Sequence, residues 1–329
     1  MTIHRTASCV LRRGLRAAVL ATALAVPAIA PGTASADSLE IIAPAGPGGG
    51  YDQLARAVQQ TMEQAGLASD VQVINVPGAG GTIGLAQFVA DSRPGDKAIV
   101  AGLGMVGAIK INKSPVTLAD VRPLARLTGE YQPLVVAASS PIKTLDDLAA
   151  MYRADPGSVT WGGFAFGSPD HLISAMTVTA MGGDPKQMNY IVTGAGGEML
   201  TQVLGGHITV ATGGLNEMAG LIASGQLRAL AISSPERLPG VEIPTFKEQG
   251  YDVELVNWRG LLARKTAGEA ELAALDAALA KMVETEAWKT LAAERGWVDM
   301  YLPSDKFAAF LEAEQPRIEQ VLVELGLGS

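Results

Sequence analysis

From Leu39 onward, short apolar runs rich in β-branched residues alternate with longer segments whose apolar positions recur at helical spacing, the pattern of strands followed by amphipathic helices. "LEIIA" predicts a strand at residues 39–43, and Leu54, Val58 and Met62 form one stripe of a helix from about Asp52 to Ala65. "VQVINV", "AIVAGLG", "LARLTGE" and "PLVVAAS" predict four further strands. Thr144 and Asp147 make a capping-box-like helix start, while Ser168 suits an N-cap, Pro169 a first helical position and Gly182 with Gly183 a helix exit. This alternation predicts an α/β fold with mostly parallel sheet covered on both faces. After "VELVNWRGLLAR", read as one long apolar strand, the tail is almost only helix, too poor in strands to build a sheet domain, and should return to cover the first unit. Two α/β lobes with a ligand cleft follow, joined by two crossing strands near residues 137 and 255. Residues 37–137 and 255–329 form a discontinuous first lobe and residues 138–254 the second.

Composition adds an address. The first 36 residues carry Arg5, Arg12, Arg13 and Arg16, then the apolar run "AAVLATALAVPAIA", then "ASA", which together predict a secretory signal peptide cleaved after Ala36. The apolar run falls short of the roughly 20 residues a membrane span requires. Removing the leader takes away four of 25 basic residues and none of 33 acidic ones, so the remaining formal charge is 21 minus 33, or −12. An acidic chain of this kind argues against nucleic acid as a partner. Cys9 is the only cysteine, and processing leaves only His171 and His207, which argues against disulfides, thiolate chemistry and a multi-histidine metal site. No cofactor is expected.

Four segments share one design: Pro44 to Asp52, Pro77 to Gly84, Phe164 to His171 and Thr193 to Glu198. In each, glycines or small residues stand where a strand hands over to a helix, whose first N–H groups lack internal partners and attract anions. A single loop of this kind reads equally well as a tight turn. Four at the carboxyl ends of strands point to a ligand cleft. Gly78, Gly80 and Gly84 imitate a dinucleotide fingerprint, but no acidic residue ends the next strand, and no "GK[ST]" triplet exists for a P-loop. Ser168, Asp170 and His171 lie within one turn but lack a Gly-x-Ser-x-Gly elbow.

"PAGPGGGYDQLARA", "NVPGAGGTIG", "GLGMVGAI" with "NKSPVTLADVRPLARLTGEY", "GSPDHL" and "GGEMLTQVLGGHI" together resemble the extracytoplasmic receptors of tripartite tricarboxylate transporters, the Bug family. The likeness runs from about Leu39 to the C-terminus, and "LGMVGAIKINKSPVT" resembles the branch named for tricarboxylate uptake. The resemblance implies a periplasmic-binding-protein fold that closes on a small carboxylate and delivers it to membrane permease subunits. Carried onto matching positions, it places Gly46, Gly48, Gly49, Gly80, Gly81 and Thr82 on one side of the ligand, with Ser168, His171, Gly194 and Ala195 on the other. A periplasmic monomer is expected.

Some residues depart from the family pattern or leave alternatives open. Tyr51 stands where the tricarboxylate branch suggests tryptophan, and Phe164 and Phe166 enter a loop usually richer in small residues. These rings either wall the pocket, favouring a flatter acid, or face the core. Asp52 either holds the first glycine loop or accepts from a ligand hydroxyl or ammonium, Arg56 reads as a surface charge, His171 as a ligand contact or a capping residue, and His207 as structural. A secreted α/β enzyme acting on an anionic substrate is the alternative from another class, and a sensor partner for a membrane kinase is a third.

Overall fold

The computed structural model describes residues 38–193 and 196–327. The predicted leader and its cleavage point lie outside the described residues, as do Gly194 and Ala195. The first lobe opens with β1 (Leu39–Ala43), α1 (Gly50–Gln64), β2 (Val71–Asn75), α2 (Thr82–Ala90), β3 (Asp96–Gly102), α3 (Leu103–Ile111) and β4 (Val121–Gly129). The second contains β5 (Pro133–Ala137), α4 (Leu145–Ala154), β6 (Thr160–Gly163), α5 (Pro169–Ala180), β7 (Asn189–Val192), α6 (Gly196–Leu204), β8 (Val210–Thr212), α7 (Leu215–Ala223) and β9 (Leu227–Ile232). The chain then returns through β10 (Arg259–Arg264), α8 (Glu269–Glu284), α9 (Glu286–Glu294), β11 (Val298–Leu302) and α10 (Ser304–Glu324).

The strands form two sheets, ordered β11-β4-β10-β3-β1-β2 and β7-β6-β8-β5-β9. Both are mixed, which corrects the expectation of mostly parallel pairing: β1 is parallel to β2 and β3, and β6 to β7 and β8, but β10 and β5 run antiparallel to both their neighbours. The crossings explain the difference. A strand entering a lobe from the hinge runs away from the cleft, whereas β1, β3, β6 and β8 run toward it and end in the loops that line it.

Strand β5, residues 133–137, lies within the second sheet, so the outgoing crossing occurs at residues 130–132, ahead of the position near 137 that the sequence suggests. Of the apolar run 253–264, only β10 joins the sheet. The preceding residues bond to the other crossing: Asn257 N donates to Glu130 O at 2.9 Å, and Glu130 N to Asn257 O at 3.2 Å. Ser233 completes the hinge, its Oγ donating to Leu255 O at 2.7 Å and accepting from Gln132 N at 3.0 Å.

Alternation along the central strands feeds two separate layers. Ile41, Val100 and Leu261 pack beneath α1, α8 and α9, while their neighbours Ile42, Ile99 and Leu262 face the layer containing Phe88, Met105 and Phe307. Leu54, Val58 and Met62 are buried, as their helical stripe predicts. The tail returns over the first sheet, but it also adds β11 to the edge beside β4, a partly buried strand in a segment whose sequence pattern predicts almost only helix.

Candidate functional site

Between the lobes lies a cavity of about 620 Å³, walled by the loop after β1, by Gly80 and Gly104, and by the Phe164–Asp170 segment and Glu217 opposite. Glu130, Gln132, Asn257 and Arg259 bring the hinge itself to the cavity wall. The lobes also meet beside it: Asn216 Nδ2 donates to Arg295 O at 3.0 Å, and Gly107 approaches Gly167 so closely that an added Cβ would lie 2.4 Å from its carbonyl oxygen.

The first turns of α1, α3 and α7 reach this cavity, and each helix begins on a glycine with no side-chain cap: Gly49, Gly102 and Gly214. At α1 and α7 no capping side chain takes up the first donors, beside a space large enough for a small ligand.

The loop carrying Gly46, Gly48 and Gly49 is fixed from behind by Asp52. Its carboxylate accepts from Gly48 N at 2.8 Å, Asn75 Nδ2 at 2.8 Å and Arg56 Nε at 2.9 Å. Burial alone would raise the Asp52 pKa, but these donors hold it below the usual value. Asp52 is 2% exposed and sits behind the cavity wall, where it positions the loop. Arg56 is thus more than a solvated surface charge.

In the second glycine loop only Gly80 lines the cavity. Gly81 and Thr82 stand behind it, Thr82 Oγ1 donating to Ala79 O at 3.0 Å. Gly80 is required by geometry: its φ is +63°, and a Cβ there would fall 2.4 Å from Ala108 Cβ. Gly46 differs, since a Cβ would meet nothing within 4 Å.

Tyr51 borders the cavity while its ring packs beside Gly81 and Gly102, and its hydroxyl accepts from the Met105 amide. Burial pushes that hydroxyl up to about 12, opposed by Arg259 and the amide. Phe164 and Phe166 both line the cavity, and Phe166 is 50% exposed.

His171, the sequence's main candidate for a ligand side-chain contact, lies behind Phe166 with ring centroids 5.2 Å apart and is only 3% exposed. Its Nδ1 accepts from Gly167 N at 3.1 Å, and burial lowers its pKa to about 4. It is a neutral support for the loop. Ser168 lines the cavity and caps α5, its Oγ accepting from His171 N at 3.4 Å. Asp170 turns elsewhere, accepting from Gln132 Nε2 at 2.8 Å and Phe164 N at 3.0 Å. The three sequence neighbours therefore do not form a nucleophile relay.

Sequence reasoning missed the charged floor. Arg259 Nη2 lies 3.1 Å from Glu130 Oε2, with both side chains largely buried, and the guanidinium packs against Gly50, where an added Cβ would lie 2.7 Å from Nη2. An arginine inside the apolar run "VELVNWRGLLAR" was the available signal, because a charge in such a strand requires a partner. Glu217, at the start of α7, also faces the cavity; burial and then Glu130 raise its pKa, against Arg259. Among the described residues no group of three His, Cys, Asp or Glu could hold a metal ion, and no helix is long and apolar enough to cross a membrane.

Residues 54–327 match the sequence profile of the tripartite tricarboxylate transporter family receptor. The chain belongs to this receptor family. BugT of Bordetella pertussis is 27% identical over 317 residues, covering 93% of this chain and 95% of that protein. A TctC solute-binding protein from Polaromonas, solved without ligand, is 26% identical with a TM-score of 0.72, covering 88% of this chain and 98% of its own. A Rhodopseudomonas palustris protein with adipate shares the fold at 21% identity and a TM-score of 0.77, covering 88% of this chain and 97% of its own. The family consists of solute-binding receptors rather than enzymes, and the fold is the two-lobed periplasmic-binding-protein fold.

Proposed function

We propose that this receptor captures a small carboxylate in the cleft and delivers it to the membrane permease subunits of a tripartite tricarboxylate-type transporter. It acts as a periplasmic monomer, exported by the leader ending near Ala36. The observation that carries this reading is the interlobe cavity into which α1 and α3 present glycine-capped N-termini, with Arg259 on the wall nearby. Main-chain donors suit an anion. The ligands named with two structural relatives, malate and adipate, are carboxylates and are consistent with this class.

A cognate acid binds the folded chain and not the unfolded one, adding about 2.7 kcal/mol at a hundredfold excess over Kd and raising the melting temperature by several degrees. Gly46→Val should fold normally, since its side chain enters open space, yet lose most of that shift. A panel of C4 dicarboxylates, citrate-like acids and aromatic acids tests this by thermal denaturation. Absence of any shift would remove the carboxylate assignment, and an undiminished shift in Gly46→Val would remove the first glycine loop from the site.

A further inference from the structure

Acceptors, rather than donors, dominate the side chains of the hinge and second-lobe wall. Glu130, Asp170 and Glu217 all line the cavity, and Arg259 is the one cationic side chain among the described lining residues. Arg259 already pairs with Glu130 at 3.1 Å. Gln132 adds an independent observation: its Nε2 donates to Asp170, but its Oε1 is buried without a hydrogen-bond partner in a residue only 3% exposed. A buried acceptor normally has a donor.

Resting on the carboxylate reading above, we infer that the ligand carries a protonated amine as well as its carboxylate, the amine facing Glu217 and the hinge acceptors while the carboxylate meets the first-lobe amides. A second carboxylate in that half would face Glu217 and Glu130, with the one guanidinium among the described lining residues already paired to Glu130. An ammonium instead brings three donors and a positive charge to acceptors and negative charge. The inference therefore sets amino acids above the parent di- and tricarboxylates.

The test is titration calorimetry on matched pairs that differ by one amino group: propionate and alanine, succinate and aspartate, glutarate and glutamate, adipate and 2-aminoadipate, benzoate and 4-aminomethylbenzoate. In the tightest pair the amino member should bind at least about tenfold more strongly, as expected for a charge-assisted hydrogen bond. Glu217→Gln, on the exposed start of α7, should erase most of that preference, so that the two members of the pair bind with nearly equal affinity in the variant. Parent acids that equal or exceed their amino partners would overturn the inference while leaving the carboxylate receptor intact, as would an amino preference unchanged in Glu217→Gln. Failure of every compound to bind would count against the carboxylate reading and the inference together.

Discussion

Arg259→Met should lower stability by about 3–5 kcal/mol and abolish measurable ligand binding, because it leaves Glu130 as an unpaired charge in a largely buried site. The pair stands where β10 begins and where the outgoing crossing leaves β4, so the loss falls at the hinge. Methionine keeps an apolar stem beside Gly50 but supplies neither charge nor donors. The double variant Arg259→Met, Glu130→Gln separates the two effects: removing both charges should restore most of the urea midpoint, but not binding, since the cavity's one described cationic side chain is gone. A single variant as stable as the parent would deny the pair its structural role. A double variant that binds like the parent would deny Arg259 its role toward the ligand.

The second large effect is a pair of opposite pH dependences built into adjacent residues. Burial raises Asp170 from 3.8 to about 7, only partly opposed by the Phe164 amide and Gln132, with Glu217 and Glu130 adding to the rise. Its folded-state pKa lies above the unfolded value, so its stabilising contribution is fully present below pH 3.8 and is lost as pH rises through about 7. Burial lowers His171 from 6.5 to about 4, so its contribution is fully present above pH 6.5 and is lost as pH falls through about 4. Between these limits the folded state holds a proton on Asp170 while the unfolded state holds one on His171, and the two slopes nearly cancel.

Single substitutions should expose each slope. Relative to the parent, Asp170→Asn should lose stability on acidification across this window, and His171→Gln should lose it on alkalinisation. Each slope should approach about 1.4 kcal/mol per pH unit. Urea midpoints at closely spaced pH values measure both. Difference slopes of the same sign, or none, would contradict the two buried environments.

What the sequence made legible was local. The strand-to-helix glycine loops, the α1 stripe and the starts of α4 and α5 depend on residues a few positions apart. Thr144 and Asp147 form the capping box, with Asp147 N 3.1 Å from Thr144 Oγ1 and Thr144 N 3.0 Å from Asp147 Oδ2. The less legible features depend on distant partners. Residues 253–258 have the composition of a strand, yet Asn257 bonds to the opposite crossing. Nothing near Glu130 announces Arg259, 129 positions away. Glu217 reads from sequence as an ordinary acid in the first turn of a helix, and only the facing hinge makes it part of a cavity wall. His171 illustrates the reverse: it stands at the right loop, but packing behind Phe166 removes it from the cavity surface.

The most direct measurement is titration of the intact receptor with a carboxylate panel that includes amino acids, followed by mass spectrometry of the recovered compound. At least one small carboxylate should bind one-to-one, be recovered chemically unchanged after long incubation, and lose affinity in Gly46→Val while the variant remains folded. A folded parent that binds none of the panel, or that converts its bound acid to product, would contradict the receptor reading.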